Sequence, residues 1–201
     1  MEDLKILKLF AEPVFKYKLE NYEDFNKELE KYIYQLKKED LNKNITLSNR
    51  GGWHSPNFKL TQTGTIQNKF ALAMQKYILR TCLELGWETE NKHIRINNMW
   101  SIINKKNDFN VIHTHPNSFL STAYYVRAPK DCGEFQVESL NIAKKYSHPE
   151  IKKVNELNRD RVGINVEEGD LLIFPGYLPH KVSKNQSDKD RIVISFNVDI
   201  K

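Results

Sequence analysis

The chain has 201 residues, 39% of them hydrophobic and 28% charged, with a formal net charge of +5 and a pI near 9.0. This composition excludes an intrinsically disordered chain and predicts one folded domain with a substantial core. No apolar run approaches the roughly 20 residues that cross a bilayer. The acidic start, Met-Glu-Asp, is unlike a secretory signal. We therefore expect a cytoplasmic protein with no membrane contact.

The basic balance does not by itself indicate nucleic acid as a partner. Lysines are interspersed with acids, as in Lys37–Asp40 and Lys189–Arg191, and no DNA- or RNA-binding motif accompanies them, so a solvated surface is favoured. The sequence leaves open whether the protein forms a homodimer. Cys82 and Cys132 are predicted to be free thiols, because their spacing demands no disulfide and a reducing cytoplasm favours none.

The first half of the chain predicts one strand and two helices. Alternation after Pro13 favours a strand within residues 6–18, and apolar residues recur at helical spacing over Asn21–Lys38, with Asn21 as the N-cap. Residues 42–60 are polar and turn-rich, and the double glycine before Trp53 and His54 suggests a structured loop. A second helix is predicted over Thr65–Leu85, with Gly86 ending it.

From His93 onward the pattern favours short strands separated by turns. A first strand, 93–104, is predicted to present one face made of Ile94, Ile96, Asn98, Trp100 and Ile102. Further strands are predicted at 111–115, 120–128, 133–138, 162–166, 170–174, 181–183 and 191–199. A polar excursion, 141–161, is expected to pack over one mouth of the β core. This order predicts a mainly β single domain, a sandwich or barrel (93–201) with the N-terminal strand and two helices (1–92) supporting one face.

Three histidines and one arginine carry the chemistry. His113 and His115 are two residues apart, so on an extended strand their side chains project to one face. With the distant His180 they can occupy one face of a metal's coordination sphere, since imidazole binds Zn, Fe, Cu and Ni. Arg191 opens an apolar strand in which it alternates with Ser195. If that face points inward, the buried guanidinium requires an anion; the alternative is an exposed arginine at a strand end.

Four motifs together resemble the 2-oxoglutarate- and Fe(II)-dependent oxygenase superfamily, and further a branch found in bacteria and phages. They are His-x-His-Pro-Asn-Ser at 113–118, Ser-Thr-Ala-Tyr-Tyr-Val at 121–126, Val-Glu-Glu-Gly-Asp-Leu-Leu-Ile-Phe-Pro at 166–175, and Arg-Ile-Val-Ile-Ser-Phe-Asn at 191–197. The resemblance implies a double-stranded β-helix core, of the jelly-roll or cupin-like kind. It implies an Fe(II)- and 2-oxoglutarate-dependent dioxygenase, a hydroxylase that uses O₂ and releases succinate and CO₂.

By that resemblance His113 and His180 bind iron, and Arg191 holds the far carboxylate of 2-oxoglutarate. His115 stands where most members carry an aspartate or glutamate; it either binds the metal in that place or leaves the position to water. Residues that can contact the cosubstrate are Ser121, Tyr124, Tyr125, Ser195, Asn98 and Arg191. Alternation allows only one of the two tyrosines to face inward.

Two other functions stay open from the sequence. One is a cupin-like three-histidine metalloenzyme that does not use 2-oxoglutarate, and the other is a non-catalytic binding module on the same fold. The loop Arg50–His54 and the excursion 141–161 are expected at the mouth of the site. A protein side chain, a nucleotide and a small metabolite all remain candidates for the prime substrate.

Overall fold

The computed structural model describes residues 4–41, 45–141, 143 and 146–201. Over these residues it contains two helices, α1 (Tyr22–Glu39) and α2 (Ile66–Glu84), and eleven strands. The strands are β1 (Phe15–Lys18), β2 (Asn49–Arg50), β3 (Trp53–His54), β4 (Ile94–Asn104), β5 (Phe109–His113), β6 (Leu120–Arg127), β7 (Phe135–Glu138), β8 (Arg161–Ile164), β9 (Asp170–Pro175), β10 (His180–Val182) and β11 (Arg191–Ile200). Parts of the predicted loop 42–60 (residues 42–44) and of the excursion 141–161 (142, 144 and 145, with the two lysines) lie outside the described residues.

The strands form two antiparallel sheets. The larger has the order β1-β9-β6-β11-β4-β3 and the smaller β2-β5-β10-β7-β8. The two helices cover the outer face of the larger sheet, and the smaller sheet covers its inner face. The mainly β fold supported by two helices is therefore confirmed. The division at residue 92 stays a prediction, although β1 and β3 pair with β9 and β4 of the later region.

Each helix buries one apolar face, as its periodicity predicts. Leu29 and Ile33 of α1, and Phe70 and Met74 of α2, are fully buried against the larger sheet. Burial of such side chains stabilises the fold by about 1.5–3 kcal/mol each. This core holds the outer side of the sheet rigid, so the inner side is free to carry polar residues.

The two predicted helix ends agree with the structure to different degrees. Gly86 ends α2 with a φ of 67°, which glycine adopts without steric cost. Asn21 does occupy the position before α1, but it has a left-handed φ of 50° and its side chain makes no capping hydrogen bond. Asn21 is therefore the N-cap residue, as predicted, but its side chain does not cap the helix, because the left-handed backbone takes the residue out of the extended conformation that a capping side chain needs.

The predicted single face of β4 is also wrong. The register between β4 and β11 shifts by one residue between Asn197 and Val198, leaving Asn97 as an extra residue. The bulge reverses the side-chain alternation. Ile94 and Ile96 therefore pack towards the helices. The later members of the set, Asn98, Trp100 and Ile102, face the inner side of the sheet.

The cysteines, the double glycine and the helices were also subjects of predictions. Cys82 and Cys132 are free, as predicted, and both are buried. The double glycine does shape a structured loop, since Gly51 and Gly52 have φ values of 72° and 70° and pack on Asp108 and the backbone of β4. Among the described residues, no helix is long and apolar enough to span a bilayer.

Candidate metal centre

Three imidazoles meet between the two sheets. His113 ends β5 and His180 begins β10, and these two residues are paired directly across the antiparallel ladder. His115 lies two residues beyond the end of β5, where its backbone N–H donates to the carbonyl of Gly176. One nitrogen of each ring lies within 4.8 Å of the others, so the structure brings together the three histidines expected from the sequence.

The hydrogen bonds of two rings set their tautomers. Nδ1 of His113 donates to the carbonyl oxygen of Val111 at 2.8 Å, and Nδ1 of His180 donates to that of Leu178 at 2.8 Å. A carbonyl only accepts, so in each neutral ring the proton is on Nδ1 and the lone pair on Nε2 is free for a metal.

The spacing suits a shared ion. Nε2 of His115 lies 3.3 Å from Nε2 of His180. Two nitrogens bound to one transition metal at about 2.1 Å lie roughly 3.0–3.5 Å apart. The close approach of these two nitrogens is therefore what a common ligand set requires.

Burial keeps the three rings neutral. It lowers the pKa of His113, and burial together with the charge of His113 lowers the pKa of His115 to about 4 and that of His180 to about 3. At pH 7 the cluster consequently offers three uncharged nitrogen donors rather than three mutually repelling cations.

A column of stacked rings supports the centre. Trp100 lies with its ring centroid 5.8 Å from those of His54 and His115, at interplanar angles of 10° and 25°. His115 in turn stacks on His180, with centroids 5.1 Å apart and nearly parallel planes. Since His115 is outside any strand, this stacking and its one backbone bond fix its ring.

The three histidines border a cavity of about 820 Å³. Four of the residues expected to contact a cosubstrate line it, namely Asn98, Tyr125, Arg191 and Ser195. The loop Arg50–His54, expected at the mouth of the site, borders the cavity only in part. His54 lines the cavity, whereas Trp53 is buried in the core, where its indole N–H donates to Asp40. None of the described residues of the excursion 141–161 lines this cavity, and its expected position over one mouth of the β core stays a prediction.

Two predicted contacts are not among the residues that line the cavity. Tyr124 projects to the helix side of the larger sheet, where its hydroxyl donates to Oδ1 of Asn26 at 2.6 Å. Ser121 is not among the lining residues and instead donates to Oδ1 of Asn197 at 2.8 Å. Because neighbours on a strand face opposite sides, Tyr125 is the inward tyrosine and Tyr124 belongs to the core.

Arg191 is fully buried, and among the described residues its guanidinium hydrogen-bonds to no carboxylate, although the charge of Asp108 acts on it from a distance. Its guanidinium donates to three neutral acceptors, the carbonyl oxygens of Cys132 and Ser183 (the latter at 2.9 Å) and Oδ1 of Asn104 at 2.9 Å. Burial lowers the pKa of Arg191, yet an arginine in a protein stays charged. A buried cation with only neutral partners is a strong site for an anion.

Unpaired polar atoms surround this cation. The hydroxyl of Tyr125, Nδ2 of Asn104 and Nε of Arg191 are buried and have no hydrogen-bond partner. Each such group costs free energy that a bound acceptor would recover. Asn104, which lies directly opposite Arg191 on β4, was missed from the sequence. The sequence feature that could have identified Asn104 is its position two residues after Ile102, which places both side chains on the same face of the strand.

The family of the chain follows from a match to residues 98–197, which span all three histidines and Arg191. The matching family model is described as "Putative 2OG-Fe(II) oxygenase". The chain belongs to the 2-oxoglutarate- and Fe(II)-dependent oxygenases. This family uses Fe(II) and 2-oxoglutarate. The bacterial and phage branch suggested by the motifs of this oxygenase stays a prediction.

Solved structures share the fold of the oxygenase at low sequence identity. A prolyl-4-hydroxylase from Pseudomonas putida has a TM-score of 0.64 at 14% identity, over 94% of this chain and 92% of that one. The viral collagen prolyl hydroxylase of Paramecium Bursaria Chlorella virus-1, in its 2-oxoglutarate complex, has 0.55 at 12%, over 92% and 94%. HygX from Streptomyces hygroscopicus, with nickel, 2-oxoglutarate and hygromycin B bound, has 0.59 at 12%, over 93% and 82%. A comparison with curated proteins finds no match.

The residues of the oxygenase fit the two groups that its family uses. Three neutral imidazole nitrogens suit a first-row transition metal, and the buried Arg191 with its unpaired neighbours suits a carboxylate. The metal donors depart from the common set of two histidines and one carboxylate only in the third ligand. Both groups would share one cavity, as a cosubstrate that chelates the metal requires.

The two adjacent tyrosines provide a matched test of the cosubstrate pocket. Tyr125→Phe removes an unpaired hydroxyl beside Arg191 and is expected to weaken 2-oxoglutarate binding by about tenfold, the worth of one hydrogen bond to a charged group. Tyr124→Phe removes the hydroxyl that donates to Asn26 on the helix side and should lower only the stability, by about 1 kcal/mol. Anaerobic titration with 2-oxoglutarate and thermal unfolding separate the two. Equal 2-oxoglutarate affinities for both variants would contradict the assignment.

Proposed function

We propose that the oxygenase is a dioxygenase that couples oxidative decarboxylation of 2-oxoglutarate, with release of succinate and CO₂, to hydroxylation of a second substrate. The observation that carries the proposal is the buried Arg191, which hydrogen-bonds to no carboxylate of the described residues and shares a cavity with three neutral imidazoles. The prolyl hydroxylases among the similar structures support the hydroxylase type.

Different residues of the chain would position the metal ion and the cosubstrate. His113, His115 and His180 would hold Fe(II), which supplies the oxygen chemistry when bound. Arg191 would take the distal carboxylate of 2-oxoglutarate through a charge-assisted hydrogen bond, with Tyr125 and Asn104 as further donors. The wall between these groups is apolar, with Phe135, Phe174, Val193 and Ala123 buried together. Such a wall keeps water from the reacting groups and strengthens their electrostatic interactions.

The third histidine changes the charge of the site. Replacing the usual carboxylate by the neutral His115 leaves the metal centre one unit more positive. The carboxylate of 2-oxoglutarate that Arg191 does not bind then offsets one of the two charges of a metal ion that the three neutral histidines leave uncompensated. We infer that this oxygenase depends more strongly on 2-oxoglutarate to hold its metal than a carboxylate-ligated member does.

Succinate formation tests the function. Purified protein supplied with Fe(II), ascorbate, O₂ and 2-oxoglutarate should release succinate even without the second substrate, at a slow uncoupled rate. Omission of the metal or of O₂ should stop the release. A protein that binds Fe(II) but forms no succinate under these conditions, alone or with candidate substrates, would instead favour the binding module.

Substitution of His115 tests the unusual ligand. His115→Leu removes a nitrogen donor and should weaken Fe(II) binding by more than the 10- to 100-fold that is typical for loss of an outer-shell partner. His115→Asp restores a carboxylate and should retain Fe(II) binding while lowering its dependence on 2-oxoglutarate. Metal affinity measured by anaerobic titration, with and without 2-oxoglutarate, gives both results. Unchanged affinity in His115→Leu would mean that water takes this position.

A further inference from the structure

Two asparagines face each other at the end of the cavity opposite Arg191. Asn98 of β4 is paired in register with Asn197 of β11, and both line the cavity. Arg191 opens β11 and Asn197 lies near its other end, so the two positions are roughly 20 Å apart at about 3.3 Å per residue. The cavity therefore has a cationic end and an amide end.

The candidate metal centre lies between these ends. Trp100 and Ser195, paired on β4 and β11, occupy the same face of the sheet between Arg191 and the asparagines, and Trp100 stacks on His115. Given the proposed function, on which this inference rests, 2-oxoglutarate takes the Arg191 end. The amide end, which includes Asn98 although the sequence assigned that residue to the cosubstrate, then remains for the substrate that is oxidised.

Hydrogen bonds define what each asparagine can offer. The Ser121 hydroxyl donates to Oδ1 of Asn197 at 2.8 Å, which fixes that amide and leaves its Nδ2–H groups as donors. Oδ1 of Asn98 is buried and has no partner, so Asn197 does not donate to it although the two residues lie directly opposite. The wall thus presents one unpaired acceptor and one donor side by side.

The complement of this pair is an amide whose N–H and C=O lie on one edge. A trans peptide group cannot meet both asparagines, because its N–H and C=O point in opposite directions. A primary carboxamide or a lactam presents both on the same side. We propose that Asn98 and Asn197 form a substrate subsite that recognises such an amide edge, with the ligand's N–H donating to Asn98 Oδ1 and its C=O accepting from Asn197 Nδ2.

The subsite should discriminate against acids. A carboxylate of the same shape would set an acceptor oxygen against Oδ1 of Asn98 and leave it unpaired. A site built to pair with a substrate N–H rejects analogues without one far more strongly than an apolar pocket does. We therefore expect primary carboxamides to bind about tenfold or more tightly than their isosteric acids.

Calorimetry on protein loaded with Mn(II) and 2-oxoglutarate tests this expectation. The ligands are L-asparagine, L-glutamine and 2-pyrrolidinone, with L-aspartate and L-glutamate as isosteric acids, and a pentapeptide with a central asparagine or aspartate. At least one amide should bind with the expected preference. Tighter binding of the asparagine peptide than of L-asparagine assigns the amide to a polypeptide side chain, and the reverse assigns it to a free metabolite.

Two aspartate variants complete the test. Asn197→Asp keeps the oxygen that accepts from Ser121 but removes the Nδ2 donor, so amide binding should weaken by about tenfold. Asn97→Asp adds the same charge at the exposed bulge residue next to Asn98 and should leave amide binding unchanged. Equal affinity for amides and acids, no amide binding at millimolar concentration, or equal effects of the two variants would overturn the subsite. If 2-oxoglutarate itself fails to bind the Mn(II) protein, the proposed function fails instead.

Discussion

His180→Ala is expected to abolish stoichiometric Fe(II) binding and to lower succinate formation by more than about 100-fold, beyond the effect typical of residues that only hydrogen-bond to a metal ligand. His180 is 3% exposed, and its Nε2 lone pair is directed by the bond from Nδ1 to Leu178. Alanine removes this donor from a set of only three. The visible charge-transfer band that anaerobic Fe(II) and 2-oxoglutarate form in the wild type should disappear with it.

A distant histidine is the control for this prediction. His93→Ala removes an exposed imidazole at the start of β4, outside the cavity, and should retain the metal and the band. Because His180 also packs on Phe135 and Phe174, thermal unfolding must show that the variant is folded. A folded His180→Ala protein that still binds one equivalent of Fe(II) with the band would remove His180 from the ligand set.

Arg191→Met is expected to weaken 2-oxoglutarate binding by about 30-fold to more than 1,000-fold, the range found when one partner of a buried charge pair is removed. Fe(II) affinity in the absence of 2-oxoglutarate should change little, because the guanidinium contacts none of the imidazoles. Titration of the charge-transfer band with 2-oxoglutarate at fixed Fe(II) measures the effect. Arg191→Lys keeps the charge but not the forked donor geometry and should give an intermediate affinity.

Stability has to be followed in parallel. Arg191 also donates to the carbonyls of Cys132 and Ser183, and each buried acceptor left unpaired costs about 1–3 kcal/mol. Arg95→Met, an exposed arginine on β4 that lies 3.8 Å from Asp199, is the surface control. Wild-type 2-oxoglutarate affinity in folded Arg191→Met protein would contradict the anchor and favour a three-histidine enzyme without this cosubstrate.

The sequence by itself predicted the longer elements and most of the residues that the structure brings together at the candidate site. Helical periodicity located α1 and α2, and alternation with turn residues located the longer strands, because each pattern reports which side of one element faces the core. The motifs identified His113, His115, His180 and Arg191 together, since metal and anion chemistry restricts the residue types that can serve. The two-residue strands β2 and β3 left no pattern long enough to read.

Only the tertiary structure decided which way individual side chains face. The bulge at Asn97 reverses the side-chain alternation within β4, and the sequence of that strand contains no signal that predicts the bulge. Tyr124 and Tyr125 are equivalent in sequence, and the helices on one side of the sheet make one a core residue and the other a cavity residue. Asn104 and Asn197 become candidate site residues only through the residues that they face on other strands, Arg191 and Asn98. Pairing across a sheet joins residues far apart in the chain, so a site built on such pairs appears only when the strands are brought together.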